Sequence, residues 1–171
     1  AGSLVKNGTG TMTLSGTNLH TGGTTVNAGT LRSGIAGLGS GALALAGTSR
    51  FELNQATDAS FTNAVTAAAT TTFAQVGAGK VTYGAISHGD LNVEAGTAAI
   101  NGAMTLAAGN AINVSAGAKV QGTGTINGAL VNAGTVEPGN SVGTLTVTGN
   151  YTQTSAGILR IEFDSSSIDL L

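Results

Sequence analysis

Leu91-Asn92-Val93-Glu94-Ala95-Gly96-Thr97 returns further along the chain as Ile112-Asn113-Val114-Ser115-Ala116-Gly117. In both runs apolar side chains alternate with polar ones, and small residues close the unit. A period of two belongs to a half-buried strand, because successive side chains of an extended backbone point to opposite faces. The unit recurs as Thr11-Met12-Thr13-Leu14-Ser15-Gly16, Thr25-Val26-Asn27-Ala28-Gly29-Thr30, Val131-Asn132-Ala133-Gly134-Thr135 and Leu145-Thr146-Val147-Thr148-Gly149. Its spacing is regular without being exact: the step from Glu94 to Ser115 is a little longer than that from Ser115 to Asn132. A unit of about 20 residues with two or three short strands suits one coil of a β-solenoid, whose coils stack through parallel ladders about 4.8 Å apart. The predicted fold is all-β, a single-stranded parallel β-helix (β-solenoid) of roughly eight coils.

Composition agrees. Gly (28), Ala (27) and Thr (26) dominate the 171 residues, while 8% are charged and 4% aromatic. That is too few Glu, Lys, Arg and Leu for a coiled coil and too little Pro for collagen. Without cysteine there is neither a disulfide framework nor a thiolate zinc site. A net charge of -2, with six scattered Lys and Arg, offers no basic footprint for nucleic acid. No run approaches the roughly 18 apolar residues of a membrane-spanning helix. A β-sandwich is the alternative, and Asn7-Gly8, Asn101-Gly102 and Asn127-Gly128 are hairpin signals. The inward candidates are modest for a sandwich core: Met12, Leu14, Val26, Leu43, Leu45, Leu91, Val93, Leu106, Ile112, Val114, Leu145 and Val147. A narrow solenoid needs only such a stripe.

The glycines that follow strands, Gly16, Gly29, Gly96, Gly117, Gly134 and Gly149, are expected at sharp turns favouring positive φ. Gly34 to Gly41 reads as a flexible interruption. Residues 54–80 are the least patterned part, and strands are preferred there to a short helix because Phe51, Phe61 and Phe73 recur at coil-like spacing. Two parts are expected: coils over 1–136, and a C-terminal stem over 137–171. Pro138, Gly139 and Gly143 mark a rigid turn. Beyond it Leu145, Val147, Tyr151, Leu159, Ile161 and Phe163 are assigned to a folding nucleus where the core should be thickest. No polar cap is evident at Ala1, so the natural chain is expected to continue upstream. The strand-like ending Ile168-Asp169-Leu170-Leu171 suggests truncation downstream.

Catalytic and binding motifs are weak. Gly139-Asn140-Ser141-Val142-Gly143 fits G-x-S-x-G, but neither histidine follows it and no helix is expected after it, so a turn is preferred to a nucleophile elbow. His20 and His88 are expected in exposed turns without metal. Among the carboxylates only Glu137 and Glu162 approach a coil repeat, and aromatic sugar platforms are lacking. Gly77-Ala78-Gly79-Lys80 is no P-loop. No catalytic residue, cofactor or metal is expected.

Two segments carry a family resemblance. Leu4 to Leu31, including Asn7-Gly8-Thr9-Gly10-Thr11-Met12-Thr13-Leu14-Ser15-Gly16 and Gly22-Gly23-Thr24-Thr25-Val26-Asn27-Ala28-Gly29-Thr30-Leu31, resembles the passenger-associated transport repeat of bacterial autotransporters. His20 stands where that repeat more often has an aromatic residue. Gly134 to Tyr151, with Leu159-Arg160-Ile161-Glu162-Phe163, is similar to the autochaperone stem that ends such passengers. The resemblance implies a right-handed β-helix in a type V secreted protein, exported to the bacterial surface or released. An upstream passenger and a C-terminal outer-membrane β-barrel would be its partners, and a monomeric, non-enzymatic stem its role. A module adhering to host surfaces, matrix or sister cells, and a polysaccharide-acting β-helix enzyme, are the alternatives.

Overall fold

A computed structural model describes all 171 residues, Ala1–Leu171. The chain winds through eight coils, and every pairing between its strands is parallel. One face is a continuous eight-stranded sheet: Thr11–Leu14, Thr30–Ser33, Arg50–Leu53, Thr72–Gln75, Asp90–Val93, Ala111–Val114, Ala129–Asn132 and Tyr151–Gln153. A second face carries two four-stranded ladders, the first ending at Val65–Ala67 and the second starting at Ile86–His88. The third face begins only in the third coil, at Ala59–Phe61, and continues through Lys80–Tyr83, Thr97–Ile100, Lys119–Gly122 and Thr135–Pro138 to Ile158–Leu159.

Register explains why the alternation is regular but not exact. Met12 pairs with Leu31, then come Phe51, Phe73, Leu91, Ile112, Leu130 and Tyr151, each the Cα partner of the last. Coils differ in length: the step from Phe73 to Leu91 is shorter than that from Phe51 to Phe73, the slack being absorbed at corners. Each inward side chain therefore sits on its counterpart one rung away. Leu31, Phe51, Phe73, Leu91, Ile112 and Leu130 are fully buried, each worth about 1.5–3 kcal/mol of apolar transfer. The Asn-Gly pairs fall at or beside corners between parallel strands, so the sandwich alternative is excluded.

Several local expectations are corrected. Gly34 to Gly41 is not a loose interruption: Ile35–Leu38 is a 3-10 helix that buries Leu38. Of the turn glycines, Gly29, Gly96 and Gly117 have positive φ, whereas Gly16, Gly134 and Gly149 do not. At Gly134 and Gly149 the constraint is space, since a Cβ would strike the backbone of the neighbouring coil. Residues 54–80 form strands, and Phe51 meets its register partner Phe73 edge to face at 5.0 Å while Phe61 meets Phe73 across the core at 5.3 Å. Pro138 ends a strand and pairs with Gly122, so the turn starts at Gly139, whose φ is +88°.

The core is thickest in coils three and four, not at the C-terminus. Phe51, Phe61, Phe73 and Tyr83 form an aromatic cluster there, joined by His88 from the fifth coil, with ring centroids 5.0–6.1 Å apart. At the far end Leu145 is buried, and Val147, Tyr151 and Leu159 pack against the core. Ile161 is 38% exposed and Phe163 79%, so neither belongs to that core. The last strand ends at Leu159, before either of them, and Asp164 then accepts from the amides of Ser166 and Ser167, turning the chain so that Phe163 faces Ile168 in an antiparallel bridge.

Candidate functional site

Polar groups inside a narrow β core must find partners, since an unpaired buried amide or hydroxyl costs about 1–3 kcal/mol. Two coils solve this with side-chain amides in register positions elsewhere held by Leu or Val. Gln75, between Leu53 and Val93 in its ladder, is fully buried. Its Nε2 donates to the carbonyls of Gly79, Ala95 and Thr97, and its Oε1 accepts from the Tyr83 hydroxyl at 3.0 Å. Asn132, next to Val114, donates to the carbonyl of Ile158 and to the Tyr151 hydroxyl while accepting from the Gly134 amide. Burial pushes the Tyr83 hydroxyl far above its ordinary pKa, so it is always a neutral donor.

Lys6 acts likewise at the first coil. Its register partner is Val26, yet its Nζ turns to the carbonyls of Asn7, Gly8 and Ala28, at 2.7–3.1 Å. A lysine thus occupies an inward position and donates to three corner carbonyls, which the sequence does not reveal.

Charged groups on the outer faces form short networks. Arg50 donates to Glu52 in its own coil and to Glu94 two coils away, and Arg32 also donates to Glu52. Between them lies Ala74, the register partner of Glu52, small enough for Arg50 to reach past it. Partial burial alone would raise the Glu52 pKa, but hydrogen bonds from Arg50 and Arg32 prevail and hold it below the usual carboxylate range.

The residues singled out for chemistry do not converge on a catalytic arrangement. Ser141 sits exposed in the loop after Pro138, beside Lys119, Glu137 and Glu162 in a wholly polar cleft of about 110 Å³. Glu137 accepts from Lys119 at 2.7 Å and from Arg160 at 3.4 Å, so both its oxygens are engaged by cations. The loop is further tied down by Asp169, whose two oxygens accept from the amides of Gly143 and Glu162. His20 is held by Thr24 Oγ1 at 2.9 Å and is half-buried. The expectation of an exposed His88 is overturned. It is 2% exposed, stacked on Phe73 at 5.6 Å, its Nδ1 on the Gly89 carbonyl and its Nε2 without a partner. No group of three or more His, Asp or Glu is placed to hold a metal ion.

Pattern reading misses Gln75, Asn132, Lys6 and Asp169. For the first two a signal exists: an amide at an inward position of the alternation, visible once the coils are put in register.

With parallel coils, an amide-bonded interior and short outer ion pairs established, the class is a β-solenoid. Residues 4–32 of the chain match the family model described as the passenger-associated-transport-repeat. Those residues are the first coil and the opening strands of the second, where Leu4–Lys6 pairs with Thr24–Val26 and Thr11–Leu14 with Thr30–Ser33. The repeat is therefore one rung laid on the next. No curated protein and no solved structure gives a significant match.

Proposed function

We propose that this solenoid is the stem of an autotransporter passenger, a non-enzymatic rod that supports folding, outer-membrane translocation and surface display of the protein that carries it. The observation that carries the reading is the match of residues 4–32 to a passenger repeat that coincides with a rung junction of the coil stack. A stack in which each coil pairs only with its neighbours folds by successive addition, without a search for distant partners. A chain emerging through a pore can then order rung by rung, and each rung buried outside opposes backsliding.

The last coils suit a starting point. The buried and half-buried members of the proposed nucleus, Leu145, Val147, Tyr151 and Leu159, are cross-tied by Asn132 and by the Asp169 clasp. The test is deletion of residues 137–171 from the full-length chain in its native host, followed by protease accessibility of the passenger on intact cells. The reading expects surface-exposed passenger to be lost while the outer-membrane anchor still assembles. Undiminished exposure would refute it.

A further inference from the structure

Where the third face begins, the corner of the rod is hollowed. A groove of about 520 Å³ is lined by Ser60, Thr62, Asn63, Thr82, Gly84 and Asn101, with Phe61 and Tyr83 beneath. It meets a second hollow of about 390 Å³ at Thr62 and Asn63, which continues along the rod to Leu19, 88% exposed. Together they span coils one to five, four rung spacings or roughly 20 Å.

Three features make this more than a gap between loops. The polar groups lining it are unspent: no partner is made by the hydroxyls of Ser60, Thr62 and Thr82, while Asn101 uses only its Oδ1, accepting from Thr123 and Asn140. Asn63 uses only its Nδ2, donating to the carbonyls of Gly39 and Gly41. A free amide donor, a free amide acceptor and three hydroxyls therefore belong to residues that line one groove, without a charged side chain among them. Gly84 has no backbone reason to be glycine. Its φ is not positive and a Cβ would meet nothing within 4 Å, as at Gly10 and Gly16, but here the missing side chain leaves the groove open. Finally, the groove follows the rung repeat, close to the length of one β-linked pyranose residue, whereas an extended peptide advances only about 3.3 Å per residue.

We infer that this corner groove binds an extended, uncharged, β-linked glycan, about one sugar per rung, through the hydroxyls and amides of Ser60, Thr62, Asn63, Thr82 and Asn101. A neutral lining of mixed donors and acceptors matches sugar hydroxyls and offers nothing to offset the charge of an acidic polymer. The inference stands apart from the display role, since a stem could display its passenger with the groove empty.

Titration calorimetry of the 171-residue protein with cellohexaose and N-acetylchitohexaose tests it, with maltohexaose, oligogalacturonate and an uncharged Ser/Thr peptide as comparisons. At least one β-linked neutral hexamer should bind more tightly than all three comparisons. Gly84→Trp should abolish that binding with an unchanged circular dichroism spectrum. Thr82→Val, which removes a hydroxyl but keeps the shape, should weaken it about tenfold, the effect of one lost hydrogen bond. No binding of either hexamer, equal binding of the peptide or acidic oligomer, or full affinity in both variants would each overturn the assignment.

Discussion

Gln75 gathers four groups onto one inward position of its ladder: three carbonyls and the Tyr83 hydroxyl. Gln75→Ala removes all four bonds, leaving the Tyr83 hydroxyl without its acceptor while the Gly79 carbonyl keeps the Thr97 amide, and should cost about 3 kcal/mol in urea unfolding. Tyr83→Phe combined with it should be less than additive, since both remove the same bond. Gly122 and Gly84 make a contrasting pair. Gly122 has φ +126° and lies against the Ile100 backbone, whereas Gly84 has open space. Gly122→Ala should lower the melting temperature sharply and Gly84→Ala leave it within a degree or two. His88 contributes to the response near neutral pH. Burial lowers its pKa, against weaker raising by the Gly89 carbonyl and by Asp90 nearby, so the folded protein binds its proton less readily than the unfolded chain. Stability is then complete above the unfolded value of about 6.5 and is lost as pH falls below it toward the folded pKa. His88→Leu, matching its register partner Leu106, should flatten unfolding free energy measured between about pH 7.5 and 5.

At the level of strands and rungs, bulk and cross-ties occupy different places. The aromatic cluster holds the largest fully buried side chains, Tyr83, Phe51 and Phe73, and Phe73→Ala should cost about 3–5 kcal/mol. The proposed nucleus at the other end concerns rate. Leu159→Ala should slow refolding in stopped-flow experiments more than Leu14→Ala, while Phe163→Ala, with its exposed ring, should change neither rate nor stability. Equal slowing by the Leu159 and Leu14 variants would remove the nucleus from the last coils.

The molecule as a whole is a one-dimensional stack, and its stability is close to a sum of coil and junction contributions. Removing residues 91–111 joins Asp90 to Ile112, the register partner of Leu91, and excises one coil without breaking the ladder. The shortened chain should keep its β-sheet spectrum, with a urea m-value lower by roughly one part in eight, since m follows the surface exposed on unfolding. Loss of all cooperative structure would show that a single coil is not a separable unit of the fold. Hydrogen exchange should be slowest in the middle coils and fastest at the two ends, where sheet edges have a neighbour on one side only.

The amino-acid sequence by itself determined the strands, their inward faces and the number of coils, because alternation at a period of two is a local property and survives changes in coil length. Leu43, Leu91, Ile112 and Val114 can be placed inside from their neighbours alone. Tertiary structure alone decided which side chains share a ladder, since coils of unequal length put each register shift in a corner that leaves no periodic trace. That is why His88 reads as a turn residue in the sequence yet lies against Phe73, and why Phe163 reads as core yet is exposed. The corner groove has the same origin. Its wall comes from the third, fourth and fifth coils, residues 60 to 101, whose hydroxyls and amides read as ordinary solvated positions until the winding sets them side by side.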